Sequence, residues 1–251
     1  MSLEINLVPK FIDKAMSPVA ESVGNSIANL WDLTFSNYIK LWKQKQEFKH
    51  ELNYRDYVEK VNTKIAEIQP DRLAEPSLHI IGPAIEASKY YIDSEELREM
   101  FANLIAASMN SDKTDSVHPS YVEIIKQLTS DEAKILRYSK GRHIPTINVV
   151  ASHGTTHSPI MLNFSDIAFK AECEYPNKVH AYLENLNRLG LINLNANGSI
   201  ADDKQYTDIE NHPMTLYAIE LANLMGKSKI NRSYADTTSF GRLFYEICIK
   251  N

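Results

Sequence analysis

Histidines and carboxylates at short spacings are the residues of this sequence that could carry out chemistry. His153 and His157 are four residues apart, a spacing at which two imidazoles hold one metal ion if the segment is helical. Gly154, Thr155 and Thr156 lie between them, and a glycine followed by two β-branched residues is unfavourable in a helix. We therefore interpret the pair as solvated histidines of a loop and predict no metal site.

His79 and His118 are the other candidates, since Glu86 and Glu123 follow them at short distances in the sequence. An imidazole titrates near neutrality and could act as a general base. The sequence offers no nucleophile beside either histidine, and a histidine that precedes a proline, as His118 precedes Pro119, more often bonds within its own turn. Phosphate-binding glycine loops, serine elbows and zinc-protease motifs are absent from the sequence. We expect no catalytic residues and no cofactor.

Composition indicates a globular protein rich in helix. The 251 residues are 43% apolar and 24% charged, with 8 glycines and 10 prolines, and the formal net charge is -5. This balance gives no overall attraction to nucleic acid or to an anionic membrane. Two cysteines exclude a disulfide scaffold. We expect a cytoplasmic protein, because the first ten residues do not resemble a signal peptide and no apolar run could span a bilayer.

The first part of the chain predicts two long helices or one kinked helix that ends before residue 70. Ser17 followed by Pro18 is a typical helix start, and residues 25–69 contain neither glycine nor proline. Apolar residues then recur at alternating spacings of four and three, which predicts a heptad-like seam with weak positions at Thr34 and Lys45. The seam between residues 27 and 52 consists of Ile27, Trp31, Thr34, Tyr38, Leu41, Lys45, Phe48 and Leu52. It is a candidate interface for a protein partner or for self-association.

Residues 40–49 interleave four lysines with Trp42 and Phe48. Such a pattern is found at membrane surfaces and in nucleic-acid patches. A solvated helix face whose aromatic side chains point at a partner helix explains it more simply, and we prefer that interpretation.

The rest of the chain predicts short helices followed by a small mixed region. Residues 70–128 predict three helices, with a break at Gly82-Pro83, a cap at Asp93 or Ser94 and a helix start at His118-Pro119. Beyond them we predict a helix from Thr129 that ends at Gly141, a strand at 144–150 and a loop at 151–164 that could include a short strand. Helices at 165–173 and 176–189 and a hairpin at 191–209 follow. A terminal helix follows at 239–249.

This element order is that of a winged helix. The fold class we predict is mainly α, with a helical region of long amphipathic helices at residues 1–128 and a winged-helix-like α+β region at residues 129–251.

If the helix at 176–189 were a recognition helix, the side chains on its outward side could contact nucleic acid. These side chains are Asn177, Lys178, His180, Asn185 and Arg188. Because Glu184 shares this surface and the predicted wing carries Asp202 and Asp203, nucleic acid is a possible partner that we do not favour.

Residues 75–136, read as EPSLHIIGPAIEASKYYIDSEELREMFANLIAASMNSDKTDSVHPSYVEIIKQLTSDEAKIL, resemble the abortive-infection alpha (Abi-alpha) family, a bacterial family of unknown function. The family-like core spans residues 75–128. Its distinctive residues are Gly82, Pro83, Arg98, Asn103, His118 and Pro119. The resemblance implies a setting in abortive phage infection and supplies no catalytic residues, so we interpret these positions as structural.

The resulting hypothesis is a non-enzymatic bacterial phage-defence component that acts by binding a macromolecule. Two alternatives stay open: a winged-helix DNA-binding regulator and a membrane-acting toxin.

Overall fold

The computed structural model describes residues 18–45, 48–195 and 198–250, without the side chains of residues 18–23, 26 and 43. The described residues form two compact units. One contains residues up to 130 together with residues 246–250, and the other contains residues 131–245. The predicted cap at Ser17 and part of the predicted turn at Asn197 lie outside the described residues.

The first unit is helical. Its α-helices are α1 (Pro18–Lys45), α2 (Phe48–Ala66), α3 (Leu78–Ser88), α4 (Glu95–Ser108) and α5 (Ser120–Lys126). Short 3-10 turns lie at Pro70–Arg72, Lys89–Tyr91 and Thr114–Ser116. None of the helices described is both long and apolar enough to cross a membrane.

An aromatic cluster joins α1 to α2. Trp31 stacks on Tyr57 with ring centroids 5.2 Å apart, and the Trp31 indole N–H donates to the Tyr54 hydroxyl at 2.8 Å. Nearer the other end of α1, Trp42 stacks on His50 at 5.7 Å. Because these contacts run in opposite directions along the two helices, α1 and α2 form an antiparallel hairpin. Trp31 of the predicted seam therefore packs inside the first unit.

Helix α4 is the most buried element of the first unit, with every residue from Leu97 to Ser108 buried. Its start is the predicted one, since the Ser94 hydroxyl accepts a hydrogen bond from the Leu97 N–H at 3.3 Å. The predicted break at Gly82-Pro83 is wrong, because α3 continues through both residues. A residue before proline normally avoids the helical conformation because its Cβ meets the proline ring, and Gly82 has no Cβ. Glycine thus allows Pro83 to lie within a helix.

The second unit combines helices with an antiparallel sheet. Its elements are α6 (Ser130–Ser139), β1 (Ile144–His153), β2 (Thr156–Phe164), α7 (Ile167–Lys170), a 3-10 turn (Pro176–Lys178), α8 (Val179–Arg188), β3 (Ile192–Asn195), α9 (Lys204–Glu210), α10 (Pro213–Met225), β4 (Lys227–Thr237) and α11 (Ser239–Phe244). The chain continues from α11 as a π-helix, Tyr245–Ile249. The strand order is β2-β1-β4-β3, and each neighbouring pair is antiparallel.

The structure differs from the prediction in two parts of this region. Residues 151–164 contain the end of β1 and all of β2, which is more strand than the predicted loop with a short strand, and the predicted hairpin at 191–209 is wrong. Instead, β3 pairs with β4, which follows more than thirty residues later, and residues 204–210 form α9. Within the sheet, the register between β1 and β2 is irregular from Ile147 to Val150. The Asn148 side-chain oxygen accepts from the Asn163 N–H at 2.7 Å there, and Asn163 has φ +53°.

Helix α10 covers one face of the sheet. Ala218 and Ala222 pack against Val149 and Ala151 of β1 in one buried apolar cluster. The side chains that α10 directs at the sheet are therefore small, which lets the helix backbone approach the strands closely. His212 caps its first turn by accepting from the Met214 N–H at 3.2 Å, and Pro213 occupies the first helical position.

Candidate functional site

The predicted nucleic-acid surface lies on and just before α8. Asn177, Lys178, His180 and Arg188 are exposed, and Asn185 is partly exposed. The opposite side of α8 is buried through Val179, Tyr182, Leu183 and Leu186. Four of the five side chains therefore face solvent, and Asn185 is partly covered.

Several of these polar groups are engaged within the protein. The Asn185 side-chain amide donates to the Glu132 carboxylate at 2.7 Å, and its oxygen accepts from the Arg188 guanidinium at 2.7 and 3.0 Å. The Lys178 ammonium lies 4.5 Å from the centre of the Tyr175 ring. Asn185 could contact a base only if its hydrogen bonds to Glu132 and Arg188 were broken, so α8 is not arranged as a free recognition surface.

The segment before α8 is fixed by a buried carboxylate. Asp131 accepts from the backbone N–H groups of Glu174 at 2.7 Å and Tyr175 at 2.9 Å, and from the Tyr182 hydroxyl at 2.7 Å. Burial alone would raise the pKa of Asp131, but these bonds outweigh it and hold the pKa below its usual value. Asp131 is thus a structural anion that positions α8.

Two of the family-like residues, Arg98 and Asn103, make buried contacts in the first unit. Arg98 donates to Asp56 at 2.9 and 3.2 Å, which ties α4 to α2. Asn103 donates to the backbone carbonyl of Cys248 at 2.9 Å, which ties α4 to the end of the chain. Both side chains thus hold elements of the first unit together.

His118 and His79 are both exposed. The His118 Nδ1 accepts from the Ser120 N–H at 3.1 Å and lies 2.6 Å from the Ser120 hydroxyl, so it caps the start of α5 together with Pro119. Neither histidine lines the cavities described below.

His153 and His157 lie on the two strands of the β1–β2 hairpin, whose turn contains Gly154 at φ +62°. His157 Nδ1 lies 2.9 Å from the Ser152 hydroxyl. Across the described parts of the chain, no three or more histidines, cysteines and carboxylates are placed to hold a metal ion.

A polar cavity of about 610 Å³ lies in the first unit along α2 and α4. At its wall, Glu99 is buried between Lys60 at 3.2 Å and Lys64 at 2.5 Å. Burial would raise the pKa of Glu99, but the two lysines more than offset it and hold the pKa below its usual value. A carboxylate held charged in this way is a weak base near neutrality, and its clearest role is to join α4 to α2.

A second cavity, of about 590 Å³, lies in the second unit. Arg142, Lys170 and Arg242 line it together with Asp166 and Asp236. Lys170 pairs with Asp166 at 2.8 Å, whereas Arg142 and Arg242 are exposed at the rim. No local sequence pattern marks these residues, because they are dispersed among the α6–β1 turn, α7, the end of β4 and α11 and meet only in the fold.

The predicted seam divides into a buried part and an exposed part. Ile27, Trp31 and Thr34 are buried, and Tyr38 contacts Trp42 within the first unit. Leu41, Phe48 and Leu52 are 41%, 69% and 65% exposed, and Lys45 is also exposed. We call this exposed part, Leu41, Lys45, Phe48 and Leu52, the hairpin surface. The flanking Lys40 and Lys49 are exposed as well, while Trp42 is only 7% exposed.

Comparisons with known proteins give one family and one distant structure. The sequence model of the family described as abortive infection alpha matches residues 49–248. No curated protein matches the chain. A solved structure described as that of an uncharacterized protein from the hydrocarbon-degrading marine bacterium Alcanivorax borkumensis SK2 is 18% identical. The match covers 56% of this chain and 96% of that one with a TM-score of 0.38. This similarity is too low to support a conclusion about fold or function.

Proposed function

Because the chain belongs to the abortive infection alpha family, we propose that it is a bacterial phage-defence component that acts by binding a macromolecule, without a catalytic step of its own. The family supports the setting. The proposed mode of action rests on one observation, the hairpin surface.

The hairpin surface has the composition of a binding site. Phe48 and Leu52 are one helical turn apart, so they share a face of α2, and both keep about two thirds of their surface exposed. Large apolar side chains that remain exposed next to each other indicate a surface that a partner covers. The aromatic cluster behind them, with Trp42 stacked on His50, holds α1 and α2 side by side at this point.

The charges around the hairpin surface indicate the kind of partner. Lys40, Lys45 and Lys49 are exposed beside the apolar residues. A protein with an apolar centre and an acidic rim would bury Phe48 and Leu52 while its carboxylates meet the lysines. We therefore propose an acidic protein of the phage or of the host as the partner.

Phage challenge of bacteria that produce the chain tests this proposal. We expect the wild-type chain to lower the plating efficiency of at least one phage in a panel, and Phe48→Glu to restore it toward that of cells without the protein. Leu78→Glu, at a residue of α3 that is 73% exposed, is the matched control and should protect like the wild type. Full protection by Phe48→Glu at equal protein levels, or no protection by the wild type, would count against the proposal.

A winged-helix DNA-binding regulator is the first alternative. It would use α8, and Lys178 and Arg188 are the cations available there for phosphate contacts. Fluorescence anisotropy of a labelled duplex across a salt series separates the two functions. We expect no sub-micromolar binding at low salt, and binding that disappears in an Arg188→Glu variant would replace our proposal.

A membrane-acting toxin is the second alternative, because lysines around exposed apolar residues also suit an anionic bilayer. Trp42 is not a useful probe of this function, since it is buried and its replacement would damage the core. Sedimentation with phosphatidylglycerol-containing vesicles should instead compare the wild type with Phe48→Glu. Vesicle binding that depends on Phe48 would favour the membrane over a protein partner.

A further inference from the structure

Helix α10 has apolar side chains on both sides. Thr215, Ala218 and Ala222 are buried on the side that faces the sheet. The other side exposes five large residues: Leu216 at 48%, Tyr217 at 62%, Leu221 at 36%, Leu224 at 83% and Met225 at 59%. A helix that is apolar all round is normally enclosed on all sides. The outer face of α10, which we define by these five residues, is therefore a surface that some partner covers.

The exposed area is large enough for a specific contact. The five side chains expose on the order of 500 Å² together, which is as large as the largest patch on a typical monomer. Two such faces placed against each other would remove roughly 1,000 Å² from water, near the lower limit for a specific protein interface.

The charge of the face selects among partners. The sequence of α10, PMTLYAIELANLM, contains Glu220 and neither lysine nor arginine. A surface without cations has no attraction for nucleic acid, for an anionic bilayer or for an acidic protein. An apolar face with a single charge can pack against a second copy of itself, and two-fold dimers are the commonest assemblies of soluble proteins.

We propose that the outer face of α10 is a homodimer interface, in which α10 of one chain packs antiparallel against α10 of a second copy. Tyr217, Leu221 and Leu224 follow each other at spacings of four and three, which is the spacing of a helix-packing seam. The midpoint between Tyr217 and Leu224 is the point through which a two-fold axis passes. Tyr217 of each copy then lies against Leu224 of the other copy, and the two Glu220 carboxylates meet at one exposed edge of the contact, where water and salt screen their repulsion.

This inference is independent of the hairpin surface, which lies on the first unit. A dimer would present two hairpin surfaces to a partner, but the failure of either proposal leaves the other intact. Phe48→Glu and Leu224→Glu serve as controls for each other, since each alters an exposed apolar residue of a different unit.

Sedimentation equilibrium of the full chain tests the dimer. We expect a dimer for the wild type and for Phe48→Glu at concentrations of about 1–100 μM, and at least a roughly 100-fold higher dissociation constant for Leu224→Glu. Leu224 is so exposed that its replacement leaves the core untouched, and unchanged circular dichroism would establish this. A monomeric wild type over this range, or a Leu224→Glu variant that dimerises as well as the wild type, would overturn the proposal.

The antiparallel register has its own test. Tyr217→Lys and Leu224→Glu should each be monomeric alone, because each variant places two charges in an apolar contact. In a mixture, the lysine of one chain meets the glutamate of the other, while the second Tyr217–Leu224 contact remains unchanged. We expect heterodimers in the mixture, and their absence, with both variants folded, would overturn the antiparallel arrangement.

Discussion

Replacing Glu99 by glutamine should destabilise the first unit strongly and in a pH-dependent way. The carboxylate of Glu99 is 11% exposed and lies between Lys60 and Lys64, whose side chains are 24% and 16% exposed. Removing one partner of a buried ion pair costs about 3–5 kcal/mol, because the remaining charges are left in a poorly solvated place. Since both lysines can still reach water in part, we expect a smaller loss than this, about 2–3 kcal/mol at pH 7.

The pH dependence follows from the lowered pKa of Glu99. A carboxyl group whose pKa is lower in the folded than in the unfolded protein stabilises the fold above its unfolded value, about 4.3 for glutamate, and loses this contribution as the pH falls through the folded value. Glutamine has no such titration. The difference in unfolding free energy between wild type and Glu99→Gln should therefore be constant above about pH 5 and should shrink below about pH 4.

Urea unfolding followed by tryptophan fluorescence measures this difference. Both tryptophans of the chain, Trp31 and Trp42, lie in the first unit, so their emission reports on that unit alone. Glu59→Gln, at an exposed position of α2, is the matched control and should change stability by less than about 0.5 kcal/mol. An equally small effect of Glu99→Gln at pH 7, or a large difference that persists at pH 3, would refute the reasoning.

Two further predictions concern Asp131 and the Gly82-Pro83 pair. Asp131→Asn turns an acceptor of three hydrogen bonds into a group that also donates, and should destabilise α8 by about 2–3 kcal/mol, seen as faster amide hydrogen exchange in Val179–Arg188. Normal protection of α8 in this variant would contradict the structural role of Asp131. Gly82→Ala should cost about 1 kcal/mol while Pro83 is present, because the new Cβ meets the proline ring, but should stabilise the first unit by a similar amount in a Pro83→Ala background. A double-mutant cycle by urea unfolding measures this, and equal effects in both backgrounds would contradict it.

The helices of the first unit were the most predictable part of the fold. Helix α4 has a serine cap and a broad apolar stripe, so its local sequence and its burial indicate the same structure. The break at Gly82-Pro83 was predicted wrongly because each residue alone favours a turn. Their combination removes the steric conflict that makes proline rare after a helical residue.

The sheet was much harder to predict because its strands lack the usual alternation. Strand β4 places Ser233 against Thr146 and Asn148 of β1, so polar side chains are buried where apolar ones would mark a strand. Strand β2 contains Pro159, which an edge strand tolerates. The pairing of β3 with β4 joins distant segments and has no local signal.

The candidate surfaces could also be predicted only in part from the sequence. The residues at 27–52 are visible in the sequence as a seam, but only the packing of Trp31 on α2 determines which part of it remains exposed. On α10, the sequence shows apolar residues on all sides. The small residues Ala218 and Ala222 determine which side meets the sheet, and therefore which side is left for a partner.

The return of residues 246–250 to the first unit affects how the protein is made. During translation, the second unit is complete once residue 245 has left the ribosome, whereas the first unit still lacks the backbone carbonyl of Cys248 that Asn103 binds. The N-terminal domain of a nascent chain usually folds first. In this protein, the first unit can be completed only after the second. A chain truncated after residue 245 would carry a finished second unit attached to an unfinished first one. Asn103 therefore gains its backbone partner only after the second unit has been synthesised.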